Sequence, residues 1–532
     1  MTAPAHLSIV LHAHLPFVRH PEHEYHLEEM WFYEAMHETY LPLLQMLDRL
    51  EDDGIDGRLT LSLSAPLLSM MGDYLLRERF LAYLDRLVDF CEGDVERTRG
   101  DERFQEAAQF YLERFTELRR YFREDLGGDV IAGFRRHHKS GRLELMTCVG
   151  THPILPFMAT DEGKRAQVRT GLELFKRHFD AQPRGMWLAE CAYAPGVDKF
   201  LSDEGIGFIC LEDRGINEAD AAPVYGTYGP LISPHGLACF GRDQYASSQV
   251  WSASEGYPGD FWYREFYRDR AYDLPLDEVA SIIHPDGIRH DSGLKYHRVT
   301  GEVELDEKEP YRPGKARERV SAHARHFVES RINQFDVVSD AMGDRPPHVT
   351  CPYDAELFGH WWFEGVLFLE EVFRRAHETD EFLLSTPADY LEAVDVHQHT
   401  ELATSTWGEG GYFSVWLDEG NAWIYRHLRN AERKMVELST EYHGRDDRTD
   451  RVLRQLGREL LLAQSSDWPF IIKTGTTVEY AEQRLDAHLT AIARLAQMVE
   501  GGEVDEEYLG ELEGRDNLFA EINVEHFSSL SL

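Results

Sequence analysis

Positive charge is in short supply along these 532 residues: 55 Lys and Arg face 95 Asp and Glu, a formal charge of −40 at pH 7. A polyanionic surface repels polyanions, which argues against nucleic acid or an anionic membrane as partner. Lysine is scarce beside arginine, and acids recur along the whole length, as in Glu51-Asp52-Asp53 and Glu503-Val504-Asp505-Glu506-Glu507. That pattern is expected of a chain adapted to high salt, where cations screen self-repulsion within about 3 Å at 1 M. Long apolar runs are also missing. No stretch of about 18 apolar residues occurs and no secretory segment opens the chain, so a soluble cytoplasmic protein is expected. Cysteines are few: Cys91, Cys148, Cys191, Cys210, Cys239 and Cys351 show no C-x-x-C spacing, and several lie in apolar strand-like runs. They read as buried thiols in a reducing compartment, and Cys191 lacks the nearby basic residue that would activate a thiolate.

With 42% hydrophobic residues the chain can bury a large core and build two or three domains. A buried strand is expected at Leu7 to His12, then a helix from about Glu28 to Asp52 with Trp31, Leu41, Leu44 and Leu47 on its apolar face, then a strand at Leu59 to Leu63. The alternation resumes at Leu143 to Val149, Gly185 to Leu188 and Ile206 to Cys210. Strand, helix, strand in succession indicates an α/β protein with a parallel sheet, here expected to close into a barrel. Between the second and third strands, from about Asp73 to Lys139, the pattern is helical, charged and aromatic, and part of it reads as a helical insertion. Residues 223–260 are dense in Gly, Pro and Ser and read as a long loop, expected to be a lid. Beyond Leu402 helices dominate, near Gly420 to Tyr442, Asp447 to Gln464 and Thr477 to Val499.

Two segments carry the chemistry. Cys351 to Phe363, C-P-Y-D-A-E-L-F-G-H-W-W-F, sets Asp354 among aromatics, and Met186 to Gly196, M-W-L-A-E-C-A-Y-A-P-G, sets Glu190 where an apolar strand meets a Pro-Gly turn. Asp354 alone reads equally as a helix cap. Two such acids on different strand ends of one barrel are what a retaining glycosidase or transglycosylase needs, one as nucleophile and one as acid/base. His12 and His14 in H-A-H-L-P share a strand face and read as sugar hydrogen-bonders, as packed histidines, or as a metal pair with no third ligand nearby in sequence; His152 in T-H-P reads the same way. T-W-G-E-G-G-Y-F-S-V-W-L-D, Thr406 to Asp418, reads as interdomain packing or a sugar-stacking segment, and Asp467 in S-S-D-W-P-F as a cap or a sugar contact.

Taken in order, H-A-H-L-P, T-H-P, W-L-A-E-C-A-Y, Y-D-A-E-L-F-G-H-W-W-F-E-G and T-W-G-E-G-G-Y resemble the motifs of glycoside hydrolase family 57, over nearly the whole chain. Q-V-W-S with G-Y-P-G-D, Y-R-E-F-Y-R-D and S-S-D-W-P-F are most similar to that family's 1,4-α-glucan branching enzymes. The resemblance implies an incomplete (β/α)7 barrel (residues 1–88 and 137–398), a helical insertion (89–136) and a helical C-terminal domain (399–532). It implies Glu190 as nucleophile and Asp354 as acid/base, with His12, His14 and His152 lining the donor site and Trp407 and Trp416 stacking on the glucan. Arg264, Gly293 and Asp467 match positions near the glucan, whereas Thr476 stands where a Gln is expected. A loop aromatic, Tyr228, is expected to gate the site; Glu356 has no required chemical role, and His360, Trp361 and Trp362 are expected to pack around the acid. The implied partner is an α-glucan, with no cofactor and no metal, in a monomer or weak homo-oligomer. A hydrolytic amylase or 4-α-glucanotransferase uses the same carboxylates, and a metal-dependent deacetylase on a related barrel is the more distant alternative.

Overall fold

Nine consecutive buried residues cannot form a strand with a wet face, and Ala5–Ala13 is accordingly covered on both sides at the centre of a parallel sheet. In the computed structural model, which describes residues 4–252 and 256–531, the strands in chain order are β1 (Ala5–Ala13), β2 (Leu59–Leu63), β3 (Leu143–Cys148), β4 (Met186–Trp187), β5 (Phe208–Leu211), β6 (Leu231–Ile232), β7 (Ala238–Gly241), β8 (His348–Asp354), β9 (Phe382–Leu384) and β10 (Gln398–His399). One sheet runs β4-β3-β2-β1-β8, with β9 added at the start of β1; the other runs β10-β6-β7-β5. Two single parallel bridges, Gly185 with Phe208 and Arg242 with Thr350, join them. The strands β1, β2, β3, β4, β5, β7 and β8 thus form a ring of seven parallel strands, closed only thinly at two seams. This is the α/β barrel expected from the alternation, in the incomplete seven-stranded form that the family resemblance implies.

Parallel closure brings every strand's C-terminal end to one rim. Register makes neighbours there: His12 on β1 lies opposite Asp354 on β8 and opposite Ser62 on β2, while Cys148 on β3 lies opposite Trp187 on β4, three residues before Glu190. The expected helix over Glu28 to Asp52 is present but not uniform, since a π-turn at Met36–Tyr40 separates Glu29–Ala35 from Leu41–Asp52. Such a turn re-aims side chains within an otherwise continuous helix, here Glu38 and Tyr40.

Residues 253–255 of the expected loop lie outside the described residues, and residues 223–252 are not a lid. They supply β6, the barrel strand β7 and the helix Gln244–Trp251. The Tyr228 hydroxyl accepts a hydrogen bond from Gln334 Nε2 (3.1 Å) on the helix Pro313–Met342 that precedes β8, and the Tyr228 carbonyl accepts one from the backbone N–H of His348 (3.0 Å), the first residue of β8. Asp354 is six residues further on, about 20 Å away at strand rise. The gating role expected for Tyr228 is therefore corrected: a loop packed on the start of a parallel strand lies at the rim opposite Asp354.

The expected insertion boundary at residue 88 falls inside the helix Tyr74–Arg97, which packs on Gln105–Arg120. A second inserted layer, residues 256–312, lies against these helices, through Arg270 to Asp94 (3.1 Å), Tyr83 Oη to Ser292 O (3.2 Å) and Tyr111 Oη to Lys295 O (3.1 Å). C-terminal helices occupy Trp423–Tyr442, Asp447–Ala463, Asp467–Thr474, Val478–Gly501 and Glu506–Arg515. Glu432 ties them to the barrel, accepting from the Ala159 and Thr160 N–H groups at 3.0 and 2.8 Å. Among the described residues no helix is long and apolar enough to cross a membrane.

One glycine fixes how the loop after β8 meets the π-turn. Gly359 has φ of 112°, and a Cβ there would come within 1.9 Å of the Glu38 carbonyl oxygen. Gly359→Ala is expected to displace the 355–362 loop from the π-turn, lowering stability by at least about 2 kcal/mol and activity with it. A denaturation midpoint equal to the parent's contradicts this packing.

Candidate active site

Glu190 follows β4 in a turn that the backbone adopts with difficulty. Glu190 (φ 58°) and Cys191 (φ 50°) are both left-handed, as is His152 (φ 63°) after β3. Non-glycine residues enter that region at a cost of order 1–3 kcal/mol, so the surroundings must enforce it. They do: the Glu190 carbonyl accepts from Trp407 N–H (3.0 Å), Tyr193 bridges to Ser405, and the His152 carbonyl accepts from Ser466 N–H (2.9 Å). The turn aims the Glu190 carboxylate at donors from two distant segments, Trp407 Nε1 (2.7 Å) on Oε2 and Ser466 Oγ (3.1 Å) on Oε1.

Behind Ser466 runs a relay. His152 Nδ1 is 2.8 Å from Ser466 Oγ, His152 Nε2 is 2.9 Å from His12 Nε2, and His12 Nδ1 is 3.2 Å from Ser62 Oγ. An ionised carboxylate only accepts, so Ser466 donates to Glu190 and must itself accept from His152. The directions then propagate: His152 carries its proton on Nδ1, His12 carries its own on Nε2, and Ser62 donates to His12. Every hydroxyl and N–H of the chain points toward Glu190. Both imidazoles are neutral, since burial, then the neighbouring histidines, push their pKa values well below the ordinary one. His14 differs. Burial opposes its charge too, but Asp467 at 3.0 Å from Nε2 outweighs it and raises its pKa, while Asp467, despite burial, is lowered to about 2 by His14. His14 Nδ1 meets Ser64 Oγ at 2.9 Å.

Asp354 ends β8 opposite His12, and its carboxylate makes no cap on the short turn Ala355–Leu357, which removes the helix-cap reading. Burial first, then the charge of Glu356, push its pKa up to about 7; Arg242 and His14 pull the other way. Glu190 is likewise raised to about 7, by burial and then by the Asp354 and Asp467 charges, against the Trp407 hydrogen bond. The charge of Asp354 thus reaches Glu190 across the rim, while Glu356 is the carboxylate that acts on Asp354. Glu356 completes the group: it accepts from Tyr40 Oη and from the His14 N–H (3.2 Å), and burial raises it to about 7 as well. Arg242 leaves the end of β7, bonds Ser247 Oγ (2.8 Å) and Glu212 (3.2 Å), and lies 6.0 Å from the Trp407 ring centroid.

Of the residues singled out in the sequence, Glu190, Asp354, His12, His14, His152, Trp407 and Asp467 converge at this rim. Arg264 and Gly293 do not reach it. The Arg264 guanidinium is buried, 2.6 Å from Glu38 and 4.2 Å from the Phe363 ring centroid, and Gly293 is buried beside His37. Both therefore brace the layer behind Asp354, a correction to their expected glucan contact. Trp416 is 2% exposed in the barrel core and has no free face for stacking. Trp362 is buried as expected, but Trp361 is 57% exposed and stacks on Phe266 (4.7 Å). Tyr40, Arg242, Ser62, Ser64 and Ser466 carry no motif in the sequence, being serines, an arginine after a strand and a tyrosine inside a helix, whereas Glu356, expected to have no required chemical role, acts on Asp354 through its charge. The Cys191 thiol is buried and pushed well up by burial and its neighbours, which rules it out as a nucleophile.

The third donor missing beside His12 and His14 in sequence is present in space. Metal-capable donor atoms of His14, His152 and Asp467, and of His12, Cys148 and His152, lie within 4.8 Å of one another. Each imidazole nitrogen of the three histidines is nevertheless spent on a side-chain hydrogen bond, so these groups are arranged as donors and acceptors to one another.

The model for glycosyl hydrolase family 57 matches residues 8–343, and that for the C-terminal part of 1,4-alpha-glucan branching enzymes matches residues 427–527. The 1,4-alpha-glucan branching enzyme TK1436 of Thermococcus kodakarensis is 36% identical, over 98% of this chain and 78% of that protein. The crystal structure of the alpha-amylase AmyC from Thermotoga maritima superposes with a TM-score of 0.92 at 39% identity, covering 99% of both chains. That of a branching enzyme from Pyrococcus horikoshii superposes with a TM-score of 0.89 at 34% identity, covering 99% of this chain and 97% of that one. With two carboxylates at strand ends of a seven-stranded rim and these matches across both its barrel and its helices, the chain belongs to glycosyl hydrolase family 57.

Proposed function

We propose that the protein is a 1,4-α-glucan branching enzyme that cuts an α-1,4 linkage with retention and passes the chain to a 6-hydroxyl of a glycogen-like glucan. The observation that supports this most is the pair Glu190 and Asp354 at the ends of two barrel strands, both raised to about 7, with the Asp354 charge acting on Glu190. Two such groups share one proton near neutrality. The proton belongs on Asp354, because two donors and the relay favour charge on Glu190, whereas among the described residues no side chain or N–H donates to the Asp354 carboxylate. Glu190 then attacks the anomeric carbon while Asp354 protonates the departing 4-oxygen. In the second half-reaction Asp354 takes the proton of the acceptor 6-hydroxyl as that oxygen displaces Glu190. Asp467, held by His14, and the exposed part of Trp407 are the groups proposed to meet the glucan beside the pair. The branching reading draws on the C-terminal match and on the relatives so named. The similarity to an alpha-amylase keeps hydrolysis as the second reading, with water in place of the 6-hydroxyl. Buried thiols and the acidic balance further suggest a cytoplasmic, salt-adapted protein, monomeric or weakly associated.

Incubation with amylose followed by enzymatic debranching is expected to release new α-1,6-linked chains, and Glu190→Gln to lower that yield by about 10³-fold or more with the fold retained. Reducing ends without branches favour the amylase, and near-normal turnover of the variant removes Glu190 from its role. The rate should fall below about pH 7, as Glu190 protonates, and above about pH 7, as Asp354 loses its proton. Glu356→Gln removes a charge that raises Asp354 yet keeps an acceptor for Tyr40, so the alkaline limb should move to lower pH by roughly 0.5–1 unit. An unmoved limb excludes that influence. Raising KCl from about 0.1 M to about 3 M should increase the melting temperature by screening the −40 surface; a decrease sinks the salt adaptation.

A further inference from the structure

We infer a second α-glucan binding site on the outer face of the C-terminal helices, in the groove between Trp423–Tyr442 and Val478–Gly501. It rests on the glucan substrate proposed above and shares no residue with the catalytic rim. The groove has a volume of about 510 Å³, within the roughly 300–1,000 Å³ of small-molecule sites. Leu489 and Ala493 form its floor, Trp423 and His427 one wall, and Asp486, Thr490, Arg494 and Gln497 the other. Asp486, Thr490, Ala493 and Gln497 follow one helical face at i, i+4, i+7 and i+11, and the small side chains in the middle leave the opening.

Three features identify the ligand's chemistry. Trp423 is 42% exposed, and its one ring neighbour, His427, meets it edge-on at 6.1 Å, so an indole face stays open. Among the described residues Asp486, Thr490, Gln497 and His427 have no side-chain hydrogen bond or ion pair. Arg494, by contrast, is anchored by Asp505 (2.6 Å) and over the Tyr508 ring (3.7 Å). An open aromatic face ringed by an unused carboxylate, hydroxyl, amide and imidazole suits a neutral polyhydroxylated ligand with a flat apolar side, which is a pyranose. An anion is disfavoured by Asp486 and by the net charge of −40, and a cation finds a single carboxylate. A polymer bound at both sites gains effective concentration at the rim without any change there, while a chain too short to reach gains nothing.

The test uses the full chain with Glu190→Gln, so that glucan is bound and not consumed, in native electrophoresis through gels containing glycogen. Retardation is expected, and adding Trp423→Ala or Thr490→Arg, the latter filling the groove from an exposed position, should weaken it at least about fivefold. With Glu190 intact, both variants should keep the parent's rate on a short maltooligosaccharide, which also shows that they fold. Parent protein that is not retarded, or retardation unchanged in both variants, overturns the site. Protein retained through Trp423 that makes no branches overturns branching alone, and an enzyme that branches with retention independent of Trp423 overturns this site alone.

Discussion

Glu190 and Asp354 are both half-buried at one rim, and burial is the largest influence on each, ahead of the Asp354 charge at Glu190 and the Glu356 charge at Asp354. A carboxyl group so placed prefers to be neutral, and two of them prefer it more strongly. Double-displacement chemistry needs one of the pair charged and the other protonated in the same cavity. The asymmetry is supplied by hydrogen bonds rather than by net charge. Glu190 receives Trp407 and Ser466, with two neutral imidazoles and Ser62 oriented behind them; Asp354 receives the charge of Glu356 and no donor. Neutral dipoles aimed at one carboxylate select it without cancelling the field that keeps its partner protonated. A lysine or arginine paired with Glu190 would select it too, but would also draw the proton from Asp354.

That asymmetry depends on parts of the chain that are far apart. Ser466 and Asp467 come from the C-terminal helices, Trp407 from the segment before them, and Tyr40 from a π-turn near the start. The barrel alone, with its two single-bridge seams, would offer the carboxylates but not their protonation states. The helical layer is therefore part of the active site. The left-handed backbone at His152, Glu190 and Cys191 fits the same view, because Ser466, Trp407 and Ser405 grip those turns through the backbone.

The barrel strands up to β5 were readable from the sequence because a strand buried on both faces is a continuous apolar run. β7 was not: Ala238-Cys239-Phe240-Gly241 is four residues set among glycines and prolines, and it is recognisable only once β5 and Thr350 beside it are known. That omission carried the error over Tyr228, for a segment whose following strands β6 and β7 go undetected looks like one long lid. Glu190, Asp354 and Asp467 stood out because acids among aromatics are unusual. Ser466 and Arg242 did not, since a serine or an arginine becomes functional only through what lies opposite it. Arg264 and Gly293 show the converse: their motif was visible, but their places beside Glu38 and His37 depend on a π-turn that no local pattern announces.

Surface charge and site chemistry meet through ionic strength. A field from −40 charges favours protonation of every carboxyl it reaches, including a pair already at about 7. Counter-ions cut that field off beyond about 8–10 Å at moderate salt and about 3 Å at 1 M, leaving the rim to its immediate neighbours. Glu356, His14, Arg242 and Asp467 are the neighbouring charges that act on the pair. The distribution of a proton between Glu190 and Asp354 is thus set by short contacts that salt screens least, and a neutral glucan needs no long-range attraction to reach them. An acidic exterior is compatible with this chemistry because the groups that govern it are local and act through short contacts.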